Sequence, residues 1–121
     1  MDKPQPLTEA LYYILLAARK PVHGYGIIQE VSEMTGGRVN LGPGTLYGAI
    51  NALLERGWIM LYSAEAGSRR KKEYLITPEG RAAFAAELRR LRELVYNGGR
   101  MEEDVCFDST LPSTRTRNRS G

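Results

Sequence analysis

The sequence is poor in the residues that catalytic, redox and metal chemistry need. Of its 121 residues one is cysteine, Cys106, and one is histidine, His23. A lone cysteine excludes an internal disulfide and a multi-cysteine metal site, and fits a reducing, cytoplasmic compartment. With one His, one Cys and no glycine-rich phosphate loop there is no nucleophile–base set, and the carboxylates fall mostly on expected solvent faces. The chain therefore reads as a non-enzyme with no cofactor and no metal. No apolar run approaches the roughly 20 residues of a membrane span, and the opening MDKPQPLTEA lacks the apolar stretch of a signal peptide. No membrane partner is expected. Charge of one sign is scarce too: 17 Lys and Arg face 14 Asp and Glu, a net +3. That total by itself is weak evidence for a polyanionic partner.

The distribution of charge says more. Residues 1–57 balance at five basic and five acidic side chains, whereas 58–100 carry nine basic against five acidic. The excess sits mid-chain, where it can form a patch. Around it the hydrophobic period changes in an ordered way. Thr8 is placed to cap a first helix whose Leu7, Leu11, Ile14, Leu15 and Ala18 recur at helical spacing, with Tyr13 and Leu16 off that stripe. Pro21 ends it. A second helix is expected from His23 or Gly24 to Thr35, with Ile27, Ile28, Val31 and Met34 inward and Gly36-Gly37 as its stop. Arg38 to Leu41 reads as a brief extended piece. A third helix enters on Pro43, carries Leu46, Ile50, Leu53 and Leu54 inward, and stops at Gly57.

After Gly57 the period becomes alternating. Trp58 to Tyr62 reads as a strand and Glu73 to Ile76 as its partner, joined by a polar loop that contains Arg69-Arg70-Lys71-Lys72. Thr77-Pro78-Glu79 opens a fourth helix, with cap, proline and acid in order, expected to run to about Tyr96 and stop at Asn97-Gly98-Gly99. The last twenty residues show no period, and Leu111 to Gly121 reads as a disordered Ser/Thr/Arg-rich tail in which Arg115, Arg117 and Arg119 have no set role. Trp58 reads as core under the hairpin, His23 as a structural residue at a helix start, and Cys106 as incidental.

Two helices joined by a short connection, the second followed by a hairpin with a basic tip, form the winged helix-turn-helix arrangement, whose second helix enters the DNA major groove. At 100° per residue, Ile50, Leu53 and Leu54 fall within about 80° of Leu46. The opposite side holds Gly44, Thr45, Gly48, Asn51, Ala52 and Glu55, small and uncharged at its N-terminal end. Tyr47 falls at about 100°, where its ring can pack inward while its hydroxyl reaches a phosphate. Arg69, Arg70, Lys71 and Lys72 at the hairpin tip complete the set of expected DNA contacts. A winged helix also serves protein–protein contact, and that alternative stays open.

Three blocks resemble the PadR family of bacterial transcription regulators. They are His23-Gly24-Tyr25-Gly26; Gly42 to Ile50 with Leu53-Leu54-Glu55-Arg56-Gly57 behind it; and Arg69 to Arg81. They occur in the family's order and cover roughly residues 7–100. The resemblance adds Tyr25 to the DNA contacts and implies a homodimer, a repressor acting on a palindromic operator, and a small apolar or aromatic effector bound between subunits. The chain is similar to the short members. Independently, Phe84, Leu88, Leu91 and Val95, with Leu94 alongside, recur at the four-three-four spacing of a helix that packs on another helix. The expected dimer interface is Leu7, Leu11, Ile14, Leu15, Phe84, Leu88, Leu91, Leu94 and Val95. An effector pocket is expected near Leu11, Leu15, Leu88 and Leu91. The expected fold is mainly α with a small β-hairpin: a flexible stretch 1–6, a winged helix-turn-helix head over 7–77, a dimerisation helix over 78–97 and a disordered tail over 98–121.

Overall fold

The structure, a computed structural model, describes residues 6–63, 72–102 and 104. In chain order it has α1 (Glu9–Ala17), β1 (Val22–His23), α2 (Gly24–Met34), α3 (Pro43–Arg56), β2 (Ile59–Ser63), β3 (Glu73–Ile76) and α4 (Pro78–Arg100). Two compact units divide the chain, residues 1–87 and residues 88–121. The first, the head, holds α1 to β3 and the start of α4. The second holds the rest of α4. Arg69, Arg70 and Lys71, expected at a hairpin tip, and Cys106, Arg115, Arg117 and Arg119 lie outside the described residues.

The ends of the head's helices follow their local chemistry. Thr8 caps α1, its hydroxyl accepting from the Leu11 N–H at 3.1 Å. α3 ends at Gly57, whose φ of 75° is left-handed. There the Trp58 N–H donates to Leu53 O and the Gly57 N–H to Leu54 O, each at 3.0 Å, so two otherwise orphaned carbonyls are satisfied. α2 ends the same way at Gly36, with Gly37 N–H to Ser32 O and Gly36 N–H to Glu33 O. The turn into α3 is then tied by Thr35, whose hydroxyl donates to Val31 O and accepts from the Val39 N–H.

The core of the head is Ile14, Leu15 and Ala17 from α1 with its C-cap Ala18, Ile27 and Val31 from α2, and Leu46, Ile50 and Leu53 from α3. Ile59, Tyr74 and Ile76 close it from the sheet. The strands are antiparallel in the order β1-β3-β2. β3 is central, with Val22 opposite Tyr74, Ile59 opposite Ile76 and Leu61 opposite Tyr74. A bulge lies between Leu61 and Ser63.

Four expectations are corrected here. The short strand precedes α2 instead of following it: Val22–His23 pairs with β3, and 38–41 forms no strand. Two residues beyond Pro21 suffice for β1, because β3 supplies the partner edge. Met34 and Leu54 are exposed, at 40% and 36%. Met34 is the last residue of α2, and Leu54 lies at the edge of the α3 stripe, about 80° from Leu46, beside the fully buried Leu53. α4 does not stop at Asn97 but runs to Arg100, with neither Gly98 nor Gly99 at positive φ. Glycine in a helix costs only about 1 kcal/mol. It ends one where the chain beyond is held in a new direction, as β2 holds the chain after Gly57. Finally, Ile14 and Leu15 are fully buried in the head's own core. They support α1 and leave no surface for a second chain.

Candidate nucleic-acid interface

α3 positions the candidate face. Leu46, Ile50 and Leu53 are buried, while Gly44, Thr45, Gly48 and Asn51 are all exposed on the other side. A side chain added at Gly44 or Gly48 would meet nothing within 4 Å among the described residues. The head's packing therefore does not require glycine at either position, and each costs helix stability of about 1 kcal/mol. Their effect is to leave the middle of an exposed helix face bare of side chains, so that a partner's surface can come close to the backbone. Thr45 and Asn51 are the polar groups beside that bare stretch.

The approach to this face is rich in unpaired donors. Gly42 at the start of α3 and His23 at the start of α2 provide no side-chain cap, so the first amides of both helices are left to solvent or a partner. Neither helix has an acid in its first turn to compete for them. Tyr25 projects from the start of α2 and is 68% exposed. Tyr47 is 47% exposed, with its ring edge and hydroxyl lying over Gly24. Burial, with the nearby Tyr47 as a smaller cause, pushes the Tyr74 phenol above its ordinary range. Lys72, the one member of the basic run among the described residues, is exposed just ahead of β3.

Behind the face, the junction of β3 and α4 is stiff. Thr77 caps α4: its hydroxyl accepts from the Gly80 N–H at 3.0 Å and donates to Gly57 O at 2.6 Å. The Thr77 N–H donates to Trp58 O at 2.9 Å. Trp58 is half-buried against the core, as expected, with the Arg56 guanidinium 4.9 Å from its ring centroid. His23 pairs across the sheet with Glu73, Nε2 to Oε2 at 3.9 Å.

Sequence reasoning missed three residues. Gly24 and Gly80 sit where an added side chain would collide with a neighbour, and no periodicity signals such a contact. Glu87 is 2% exposed and accepts from the Leu7 N–H at 3.0 Å, although acidic residues on α4 read as solvent-facing. Of the expected interface residues, Leu7, Leu11 and Phe84 are half-buried in the head, Phe84 stacked on Tyr12 at 4.7 Å. In the second unit Leu88 and Leu91 are half-buried, and Leu94 and Val95 are 52% and 74% exposed.

A sequence model of the Transcriptional regulator PadR-like family matches residues 13–86, from mid-α1 into α4. The chain belongs to this family. Among curated proteins it is 37% identical over 84 residues to the transcriptional regulator Rv3488 of Mycobacterium tuberculosis, covering 69% of this chain and 76% of that one. Among solved structures it resembles a PadR family transcriptional regulator from Eggerthella lenta DSM 2243. The TM-score there is 0.66 at 22% identity, over 77% of this chain and 80% of that one, which speaks for the fold alone. A protein described as a potential transcriptional factor gives a TM-score of 0.63 at 28% identity, over 79% and 85% of the two chains. This PadR-like chain is thus a transcriptional regulator with a winged-helix head. No described helix is long and apolar enough to cross a membrane.

Proposed function

We propose that this PadR-like regulator is a repressor that binds a palindromic operator in duplex DNA as a homodimer, with α3 in the major groove. The observation that carries the reading is the bare, exposed pair Gly44 and Gly48 on α3, which nothing among the described residues requires. Thr45 and Asn51 read base edges there. Tyr25, Tyr47 and the basic run Arg69 to Lys72 hold phosphates, which position the protein without carrying sequence information. The family places the chain among transcriptional regulators, and release by a small apolar or aromatic effector completes the proposal. Leu15 leaves the effector set because the core encloses it. The side chains that remain available are Leu11, Leu88 and Leu91.

Binding to operator fragments at several salt concentrations tests this. Affinity is expected to fall steeply as salt rises, because phosphate contacts release counterions. Arg70→Ala with Lys71→Ala is expected to weaken binding to every sequence alike and to reduce the salt slope by about 1 for each phosphate no longer engaged. Thr45→Ala or Asn51→Ala should instead erode discrimination at one base pair by about 1–3 kcal/mol. Binding indifferent to salt and to the Arg70 and Lys71 changes would remove the DNA reading in favour of a protein-binding winged helix.

The dimer is supported by the apolar side chains left uncovered in the second half of α4, Leu94, Val95 and Tyr96, and by Met101 just beyond it. A twofold pair would set two α3 helices about 34–36 Å apart, one turn of DNA. The mass in solution is expected to be twice 13.5 kDa, and Val95→Glu with Leu91→Glu should give monomers. A wild-type monomer at micromolar concentration would sink the dimer.

A further inference from the structure

The Tyr47 ring lies on a place where α2 has no side chain. A Cβ built on Gly24 would stand 2.4 Å from the Tyr47 hydroxyl oxygen, 3.0 Å from Cζ and 3.3 Å from Cε1. The first of these is an approach that real side chains do not make. Gly24 is buried and has an ordinary helical backbone, so neither conformation nor exposure asks for glycine there. What asks for it is the phenol. The floor beside it is Tyr74, which is 6% exposed and whose phenol is pushed above its ordinary range by burial and, to a smaller degree, by the nearby Tyr47. Yet the held hydroxyl makes no hydrogen bond among the described residues. It is seated by shape, beside the first turn of α2, and among the described residues its donor and acceptor capacity is unused.

We propose that Gly24 is a positioning residue for DNA binding: its missing side chain is the seat that holds the Tyr47 hydroxyl where the duplex backbone reaches it. This rests on the DNA reading above and adds the reason the hydroxyl is in place before DNA arrives. A seat made of a vacancy has a specific consequence. A methyl group at Gly24 displaces only the far end of a half-exposed side chain, which can swing into solvent. The fold survives, and the hydroxyl no longer meets the duplex backbone.

The test is a double-mutant cycle with Gly24→Ala, Tyr47→Phe and the pair, read by affinity for an operator fragment at fixed salt, with thermal unfolding in parallel. A hydrogen bond to a charged group supports a loss on the order of tenfold for Tyr47→Phe. Gly24→Ala alone is expected to lose a similar factor at nearly unchanged melting temperature. The pair should also lose about tenfold and not a hundredfold, because both changes remove the same hydrogen bond. The second readout needs no DNA: with ring-labelled tyrosine followed by NMR, Tyr74 should titrate lower in Gly24→Ala, since Tyr47 has moved off. Unchanged affinity in Gly24→Ala, or additive losses in the pair, would overturn the proposal. If Tyr74 responds but Tyr47→Phe binds DNA like the wild type, the seat is real and its assignment to DNA falls.

Discussion

Gly80→Ala is expected to destabilise the head by about 3 kcal/mol, lowering the melting temperature by about 10–20 °C. A Cβ at this position would stand 2.0 Å from the Trp58 carbonyl oxygen, 2.9 Å from its carbon and 2.8 Å from Ile76 Cγ1. Two of the three obstacles are backbone, so no rotamer change relieves them. The chain has to move, and the Trp58 carbonyl is not free to do so. It accepts from the Thr77 N–H, and Thr77 in turn holds the first turn of α4 and the Gly57 carbonyl. Pushing α4 off Trp58 therefore loosens the cap and the sheet junction together. Circular dichroism melts check the value. Gly98→Ala provides the contrast: its added methyl meets open space, and the same chemical change there should stabilise by about 0.5–1 kcal/mol through helix propensity. A Gly80→Ala melt within a few degrees of the wild type would mean that α4 can slide on the sheet at little cost.

The second large effect separates stability from function. Gly48→Glu places a good helix former in the middle of α3 where none of the described residues obstructs it. The fold is expected to gain about 0.5 kcal/mol. Operator affinity is expected to fall by about 100-fold, roughly 2.8 kcal/mol, because a long acidic side chain fills the bare stretch and repels phosphates. Opposite signs for the two measurements are the signature of a surface shaped for something outside the molecule. A Gly48→Glu chain that melts higher and still binds operator with wild-type affinity would show that α3 does not present this face to DNA.

Much of this protein is legible in its sequence because the signals are local. The Thr8 cap, the entry of α3 on Pro43, the left-handed exit at Gly57, the strand Glu73 to Ile76 and the Thr77-Pro78-Glu79 start of α4 each depend on a few adjacent residues. The misreadings arise where the outcome depends on what stands opposite. Leu54 and Met34 continue a helical stripe at its edge or end, and periodicity alone does not say how far across a stripe the opposing elements reach. Asn97-Gly98-Gly99 has the composition of a helix stop, but composition alone does not turn the chain, and α4 continues to Arg100. β1 is too short for any pattern to announce, and exists because β3 has an edge to fill.

The candidate site divides along the same line. Periodicity alone separates Leu46, Ile50 and Leu53 from Gly44, Thr45, Gly48 and Asn51, because helix geometry assigns a face to every residue once the helix is known. The same counting puts Tyr47 at the edge of the buried stripe, where the structure has it. Only the tertiary structure decided that Ile14 and Leu15 serve the head's own core, that Glu87 is buried against the backbone of Leu7, and that the Gly24 and Gly80 side chains are excluded by neighbours 23 and 22 positions away. Sequence carries the periodic and capping chemistry of each element. Contact across elements depends on distances that no single element contains.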